Sequence, residues 1–167
     1  VGCSLLDGVA MGTRSGQLDP GVVRHLIRRE GMGAEEVARL LWRGSGLLGL
    51  SGLSNDMRAL EAAATEAALH AIHHFALRAA REIAAMAVLA GGLDAVVFTG
   101  GIGEHAAAVR GRIAEGLGWA GLVLDPGRNR ASETLISAEG SAVAALVIPT
   151  DEERTIARAA ARLLAAG

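Results

Sequence analysis

Arg14 is the first side chain whose type and setting could do chemistry. It lies in a loop between Thr13 and Ser15, with glycines at positions 12 and 16. Arginine offers a planar, permanently charged guanidinium that suits phosphate or carboxylate groups. Loop arginines are also commonly solvated and nothing more, so the residue type leaves both interpretations open.

A glycine-rich turn at 99–104, with the sequence TGGIGE, is the second candidate. It follows an apolar run and opens a predicted helix, so its backbone amides could face an anion and its glycines could let a base or ribose approach. The spacing is not the dinucleotide fingerprint, and no lysine follows for a phosphate loop. A tight connection with glycines needed only for packing is the alternative. Glu104 is expected in the first helical turn, where a carboxylate is favourable by about 0.3–1 kcal/mol.

Carboxylates gather after Thr150. Thr150 and Glu153 fit a capping box, in which Glu153 bonds back to the Thr150 amide. Glu152 stands between them without a capping role. Because Asp151, Glu152 and Glu153 lie beside a predicted strand end and Mg²⁺ prefers oxygen ligands, Glu152 is a candidate magnesium ligand.

Two further groups have structural and functional interpretations. Asp56 is a candidate helix N-cap, with Arg58 on the surface behind it. Three histidines share one face of a predicted helix, at i, i+3 and i+4: His70, His73 and His74. Transition metals bind such arrangements, but a solvated or packed face is simpler because no fourth ligand is evident. Cys3 has no nearby histidine and reads as incidental.

The composition excludes several classes of function. The 167 residues carry 18 acidic against 16 basic groups, a net charge of −2, which argues against a nucleic-acid partner. No apolar run reaches the roughly 18 residues of a membrane span, and one cysteine excludes an internal disulfide. No leader is visible, so a cytoplasmic protein is expected. All basic residues are arginines, which leaves no lysine for a Schiff base. The start at Val1 leads us to expect the tail of a longer protein.

Local signals predict alternating helices and strands. Helices are predicted at 20–30, 34–43, 59–90 and 151–165, with another running from the glycine turn to about 117. Strands are predicted at 95–98, 119–124 and 143–148, and 44–57 as a long loop. This order predicts a single α/β domain with helices over a sheet.

Several runs together resemble the C-terminal part of the acetokinase family, the acetate kinases. The resemblance covers nearly the whole chain, from about residue 8 to 160, and the runs occur in the family's order. They are 11–16 with 19–20, then 45–49, 51–58, 92–104, 148–153 and 156–158.

The resemblance implies a fold and a reaction. The fold is the C-terminal half of an actin-like or hexokinase-like ATPase, a ribonuclease-H-like sheet with flanking helices. Residues 1–167 would form a single nucleotide-binding lobe, with the N-terminal lobe absent. The family transfers the γ-phosphoryl group of ATP to acetate, giving acetyl phosphate and ADP, reversibly and with Mg²⁺. Its C-terminal domain also forms a homodimer.

The resemblance also assigns residues. Arg14 matches the arginine that stabilises the transferring phosphoryl group, and Glu152 matches the magnesium-associated glutamate. The nucleotide-contacting positions are Asp56, Met57, Arg58, Gly101, Ile102, Gly103, Glu104 and His105. His105 departs from the family's usual asparagine, which would alter a hydrogen bond at the nucleotide and make it sensitive to pH.

The missing lobe leaves three expectations. We expect the chain alone to bind nucleotide weakly and not to turn over, because the first phosphate loop and the catalytic aspartate belong to the absent half. A second hypothesis is a non-catalytic remnant whose long helix serves dimerisation. A third is a propionate or butyrate kinase fragment, since the acyl pocket lies mainly in the absent half.

Overall fold

The computed structural model describes residues 4–165, with all side chains in that range except those of residues 152, 155 and 165. The prediction for Cys3 lies outside the described residues. Two strands, β1 (Ala95–Phe98) and β2 (Ala144–Val147), pack with helices. In chain order the helices are α1 (Pro20–Arg28), α2 (Ala34–Arg43), α3 (Gly46–Ser51), α4 (Met57–Ala63), α5 (Glu66–Ala90), α6 (Gly100–His105), α7 (Ala107–Gly116), α8 (Pro126–Ala131) and α9 (Glu152–Ala165).

Elements with strong local signals lie where the sequence predicts them. α1 begins after Asp19, whose Oδ1 accepts a hydrogen bond from the Gly21 amide at 2.7 Å, and Pro20 takes its first position. α2, α9 and both strands also fall at or within their predicted ranges. None of the helices between residues 4 and 165 has the length and apolar character that a bilayer crossing requires.

The predicted loop at 44–57 contains a helix, so that prediction is wrong in its middle. α3 begins at Gly46, whose φ is +61°. The amides of Leu47 and Leu48 donate to the carbonyl oxygens of Met11 and Gly12, each at 2.9 Å. A six-residue helix is stabilised here by acceptors from a distant loop, and local sequence does not reveal such partners.

The predicted helix at 59–90 is two helices rather than one. Ala64 ends α4 in a left-handed conformation, with φ of 47°. Thr65 then caps α5, its Oγ1 accepting from the Ala68 amide at 3.3 Å. The alanine-rich run hides this break, because Ala64 carries none of the glycine or proline signals that mark a helix end.

α5 is the element on which α3, α4 and α7 pack. Its buried face is mostly small: Ala68, Ala71, Ile72, Ala76 and Ala80. On α7, a Cβ added to Gly116 would stand 2.9 Å from the Ala80 Cβ, so the absence of a side chain permits this close approach. Leu77, on the same helix, is 56% exposed.

The strands form a two-stranded parallel sheet. The register pairs Ala95 with Ala144 and Phe98 with Val147. Val96 and Phe98 are buried in the core with α5 and α7, whereas Ala95 and Val97 on the other face are exposed. One face of this sheet therefore carries the helices and the other is open within the described chain.

The strand predicted at 119–124 is wrong. A single 3₁₀ turn spans Gly118–Ala120, and Gly121 follows with φ of +85°. Only an isolated antiparallel bridge joins Leu124 to Ser137. Asp125 then caps α8 through hydrogen bonds to two backbone amides. Main-chain groups of the predicted run bond instead to a later segment: the Gly121 carbonyl accepts from the Ala142 amide and the Val123 amide donates to the Ser141 Oγ, each at 3.0 Å.

The outer edge of β1 is unpaired in the described residues. The Ala144 and Ile148 amides donate to the carbonyl oxygens of Asp94 and Phe98. Because alternate residues of a parallel strand face opposite neighbours, Ala95 and Val97 direct their main-chain groups to the outer edge. A cavity of about 1260 Å³ with mostly apolar walls runs along that edge.

Gly46 is the position where a side chain is least tolerable. A Cβ there would overlap the carbonyl oxygen of Met11 and stand 2.7 Å from that of Arg14. We expect Gly46→Ala to lower the free energy of unfolding by about 3 kcal/mol, the sum of overpacking and a left-handed φ. Urea denaturation followed by circular dichroism measures the loss.

Gly31 provides the matched control. Its φ is +71°, and nothing lies within 4 Å of an added Cβ. Gly31→Ala should therefore cost only about 1 kcal/mol, the conformational part. Equal losses for the two variants would contradict the importance of the close contact between the start of α3 and the loop at residues 11–16 (the Arg14 loop).

Candidate functional site

The Arg14 loop is fastened to the end of α2 and the start of α3. The Thr13 Oγ1 donates to the Trp42 carbonyl at 3.0 Å, and the Ser45 amide donates to the Thr13 carbonyl at 2.9 Å. The Ser15 amide bonds to the Leu41 carbonyl at 3.0 Å. Arg14 therefore extends from a backbone that is held on both sides.

The Arg14 guanidinium lies over an aromatic ring. Its central carbon is 5.1 Å from the centroid of the Trp42 ring, within the range of a cation–π interaction. Its Nη1 is 3.6 Å from the Met11 sulfur. Among the described residues no carboxylate forms an ion pair with Arg14. The positive charge is thus positioned without being neutralised by these groups.

Asp56 caps α4, as the sequence predicts. Its Oδ1 accepts from the Arg58 amide at 3.0 Å and from the Arg58 Nε at 3.3 Å, while Oδ2 lies 3.0 Å from Nη2. The side-chain hydrogen bonds of Arg58, and then its amide, lower the pKa of the Asp56 carboxyl. Met57 between them is buried and anchors the turn, whereas the Arg58 side chain is 83% exposed.

Gly12 brings the Arg14 loop against the segment before α4. A Cβ on Gly12 would stand 2.9 Å from the carbonyl oxygen of Asn55. Asn55 directly precedes Asp56. The loop around Arg14 and the segment around Asp56 (the Asp56 segment) are therefore neighbours in the structure. They can approach this closely because Gly12 has no side chain.

The glycine turn leaves β1 and becomes α6. Gly100 adopts the left-handed conformation that favours glycine, with φ of +70°, and a Cβ on Gly103 would stand 3.1 Å from the Phe98 carbonyl carbon. Gly101 has neither constraint: its φ is not positive, and nothing lies within 4 Å of an added Cβ. The main chain at Gly101 is thus open to an approaching group.

Glu104 lies near the end of α6, not in its first turn as predicted. Its carboxylate reaches back to the start of the helix, where Oε1 accepts from the Gly100 amide at 2.8 Å. The same oxygen accepts from the Thr150 amide at 3.0 Å. Glu104 therefore joins the glycine turn to the segment before α9. His105, which follows it, is exposed.

Asp151, not Thr150, caps α9. Its Oδ1 accepts from the Arg154 amide at 2.9 Å, and its Oδ2 lies 3.3 Å from the Arg154 Nε. The Thr150 amide is bound by Glu104, so the predicted capping box with Glu153 is wrong. The side chain of Glu152, the predicted magnesium ligand, lies outside the part that the structure describes.

Arg110 is a buried charge that the sequence analysis missed. Its exposure is 0%, and burial lowers the pKa of its guanidinium. Its Nη1 donates to the carbonyl oxygens of Gly103 and Glu104, at 2.8 and 2.9 Å. Its other N–H groups donate to Asn129 and Ser132. Arg110 thus holds the end of α6 against α8. An arginine in a predicted helix carries no sequence signal for this role.

The cavity beside β1 also reaches the predicted site. Met11 and Gly12, from the Arg14 loop, line it together with the glycine turn at 99–103. The structure therefore brings the Arg14 loop and the glycine turn to one cavity. The Asp56 segment contacts the same loop at Gly12, and Glu104 attaches the Thr150 segment to the same turn.

The histidine face lies on α5. No group of three or more His, Cys, Asp or Glu side chains among the described residues is arranged to hold a metal ion. His70 and His73 are exposed. Partial burial, and then the nearby Arg78, lower the pKa of His74. The structure thus places His70 and His73 in solvent and His74 at a half-buried position.

Comparisons of the sequence with known proteins agree with each other. The model of the acetokinase family matches residues 1–158. The acetate kinase of Methylocella silvestris is 52% identical over 164 residues, which is 98% of this chain and 41% of that protein. The acetate kinase of Rhodopseudomonas palustris is 50% identical over 169 residues, 100% of this chain and 42% of the relative. The chain therefore spans about two-fifths of the length of these relatives.

Solved structures of the same family share the fold. The acetate kinase of Porphyromonas gingivalis gives a TM-score of 0.87 at 38% identity, over 95% of this chain and 41% of that one. A propionate kinase from Francisella tularensis gives 0.83 at 40% identity, over 89% and 39%. The acetate kinase of Entamoeba histolytica gives 0.86 at 32% identity, over 94% and 43%. The predicted fold class, α/β and half of an actin-like ATPase, is confirmed.

The Arg110 network provides a test of the site's framework. Arg110→Met keeps the volume but leaves the Gly103 and Glu104 carbonyl groups and Asn129 without their donor. We expect the free energy of unfolding to fall by about 3 kcal/mol. Arg112→Met, at an exposed position of the same helix, should change it by less than about 0.5 kcal/mol. Similar losses in chemical denaturation would contradict this account of Arg110.

Proposed function

The chain belongs to the acetokinase family, and we propose that it forms the C-terminal, nucleotide-binding lobe of an acetate kinase. The whole enzyme would transfer the γ-phosphoryl group of ATP to acetate, giving acetyl phosphate and ADP, in a reversible reaction that requires Mg²⁺. The observation that carries the proposal is the shared cavity end, where the Arg14 loop meets the glycine turn.

Arg14 is proposed to stabilise the phosphoryl group during transfer. Phosphoryl transfer depends mainly on positioning and on positive charge beside the equatorial oxygens. Arg14 supplies such a charge from a held backbone, and Trp42 supports its guanidinium without neutralising it. The five-donor fork of arginine can then bind phosphate oxygens in a bidentate manner.

The nucleotide is proposed to lie on the glycine turn. Gly101, Ile102 and Gly103 offer main chain that a base or ribose can approach, and all three line the cavity. Asp56, Met57 and Arg58 are proposed to contact the nucleotide at the start of α4, Met57 through its main chain because its side chain is buried. The exposed Arg58 side chain can leave its contact with Asp56. Glu104 and His105 complete the turn, and His105 replaces the family's usual asparagine.

Magnesium is proposed to bind near the start of α9. The donor set fits, because Asp151, Glu152 and Glu153 supply only oxygen ligands, which Mg²⁺ prefers while retaining several waters. Glu152 would hold the ion. When bound, the ion neutralises charge on the phosphate oxygens. Asp151 fixes the start of the helix that carries Glu152.

We also propose that a second lobe covers the open edge of β1. Ala95 and Val97 direct main-chain groups to that edge, beside an apolar cavity of about 1260 Å³. An added strand would pair with the free main-chain groups of this edge and cover the apolar surface beside it. The proposed occupant is a strand from the part of the relatives that this chain does not span. We infer that this lobe carries the acyl pocket, so the choice among acetate, propionate and butyrate depends on it.

Dimerisation is a second candidate function, supported by exposed apolar side chains on two helices. Val88 and Leu89 near the end of α5 are 77% and 80% exposed, and Leu163 and Leu164 of α9 are 77% and 84% exposed. Exposed apolar side chains mark association surfaces when they lie together. As a homodimerisation module, the chain would associate without responding to nucleotide.

Thermal unfolding with nucleotide tests the proposed function. Saturating Mg·ATP should raise the melting temperature of the chain by a few degrees, because a ligand that binds only the folded state stabilises it. Gly101→Val should abolish the rise, since its side chain would occupy space meant for the nucleotide. Gly111→Val is the matched control, because an added Cβ there also meets nothing within 4 Å. A concentration-dependent dimer with no response to Mg·ATP would favour the second function.

Turnover tests the need for the second lobe. The 167-residue chain alone should form acetyl phosphate no faster than its Glu152→Ala variant, since the catalytic groups of the other lobe are missing. Adding the separately produced N-terminal portion of the Methylocella silvestris relative should yield activity with the parent chain but not with Glu152→Ala. Turnover by the chain alone above that control would contradict the proposal.

A further inference from the structure

One oxygen atom links two segments that are 46 residues apart. The Glu104 Oε1 accepts from the Gly100 amide at 2.8 Å and from the Thr150 amide at 3.0 Å. Neither bond is part of a helix or of the strand ladder. No cation among the described residues forms an ion pair with this carboxylate.

The contact lies where the strand ladder ends. The Ile148 amide makes the last hydrogen bond from the β2 side, to the Phe98 carbonyl at 3.0 Å. Pro149 follows and has no N–H to donate. Glu104 then provides an acceptor for Thr150, so the chain stays attached to β1's end for two residues beyond the ladder. Glu152 begins α9 two residues later.

The backbone of Glu104 is held in place by the core. Arg110, fully buried, donates to the carbonyl oxygens of Gly103 and Glu104. The end of α6 therefore cannot shift without breaking hydrogen bonds of a buried guanidinium, which is costly. The position of Glu104 is thus determined by the core. Because its carboxylate accepts from the Thr150 amide, Thr150 is held relative to the same core.

We propose that Glu104 is a positioning residue that sets the distance between the glycine turn and Glu152. In this role its carboxylate, bound to the Gly100 and Thr150 amides, touches neither nucleotide nor magnesium, and the role replaces the nucleotide contact that the resemblance implies for Glu104. It holds the segment before α9 so that the Glu152 carboxylate and the nucleotide bound at the turn meet the same ion. The inference rests on the proposed function, in which the turn binds nucleotide and Glu152 binds Mg²⁺.

The experiment measures how much Mg²⁺ tightens ATP binding to the 167-residue chain. ATP is titrated with Mg²⁺ and with EDTA, and amide NMR shifts of Gly100 and Thr150 report the two hydrogen bonds directly. Glu104→Leu removes the acceptor and should reduce the Mg²⁺ enhancement about tenfold, as loss of supporting contacts does at other metal sites. Its ATP affinity in EDTA should change little. Glu104→Gln keeps a carbonyl oxygen and should retain the enhancement.

Controls separate positioning from a loss of stability. Glu115→Leu changes an exposed carboxylate on α7 and should retain the enhancement. Gly31→Ala lowers stability away from α6 and should also retain it. If Glu104→Leu does not fold, Glu104→Asp takes its place, because a carboxylate shorter by one methylene cannot reach both amides and should show the same loss.

Each outcome bears on one proposal. An undiminished enhancement in Glu104→Leu would overturn the positioning role. Loss of the Mg²⁺ enhancement in Glu104→Gln would also overturn the positioning role, because it would show that the negative charge is required, as in a metal ligand. Weaker ATP binding in EDTA would show direct contact with nucleotide. The absence of any Mg·ATP binding by the parent chain would instead overturn the proposed function.

Discussion

A buried guanidinium constrains this fold more than any other single group described. A charge removed from water is tolerated only when its hydrogen-bonding groups are satisfied, and Arg110 donates from all three of its nitrogens to oxygens of α6, α8 and the residue that ends α8. The relative positions of those segments are therefore fixed together. The main chain of the glycine turn is open to solvent at Gly101. Its other end is held by the hydrogen bonds from Arg110 to the Gly103 and Glu104 carbonyl oxygens.

Local chemistry decides which elements the sequence could predict. α1 and the Asp56 cap depend on a carboxylate and the amides beside it, and β1 and β2 are short apolar runs, so the signals that predict them lie within a few residues. α3 depends on carbonyl oxygens of Met11 and Gly12, and the break at Ala64 has no glycine to mark it. The strand expected at 119–124 and the capping box at Thr150 were wrong for the same reason: the partners that decide each case come from elsewhere in the chain.

The candidate site shows the same division. The residue types alone indicate that Arg14, the glycine turn and the carboxylates after Thr150 could bind phosphate, nucleotide or metal. The resemblance to the family then implies a role for each. Their mutual arrangement was beyond the sequence, because it depends on Gly12 passing Asn55 and on Glu104 reaching Thr150. Glu104 itself was expected to favour a helix start and instead connects two segments. Arg110 carried no signal, since its function lies in geometry alone.

The stacking of Arg14 on Trp42 gives the chain a built-in optical reporter. Trp42 is one of two tryptophans in the sequence, and the emission of an indole responds to a cation held against its ring. Any group that draws the guanidinium away changes the surroundings of that fluorophore. The intrinsic fluorescence of the protein therefore follows the residue assigned to the phosphoryl group, without any added label.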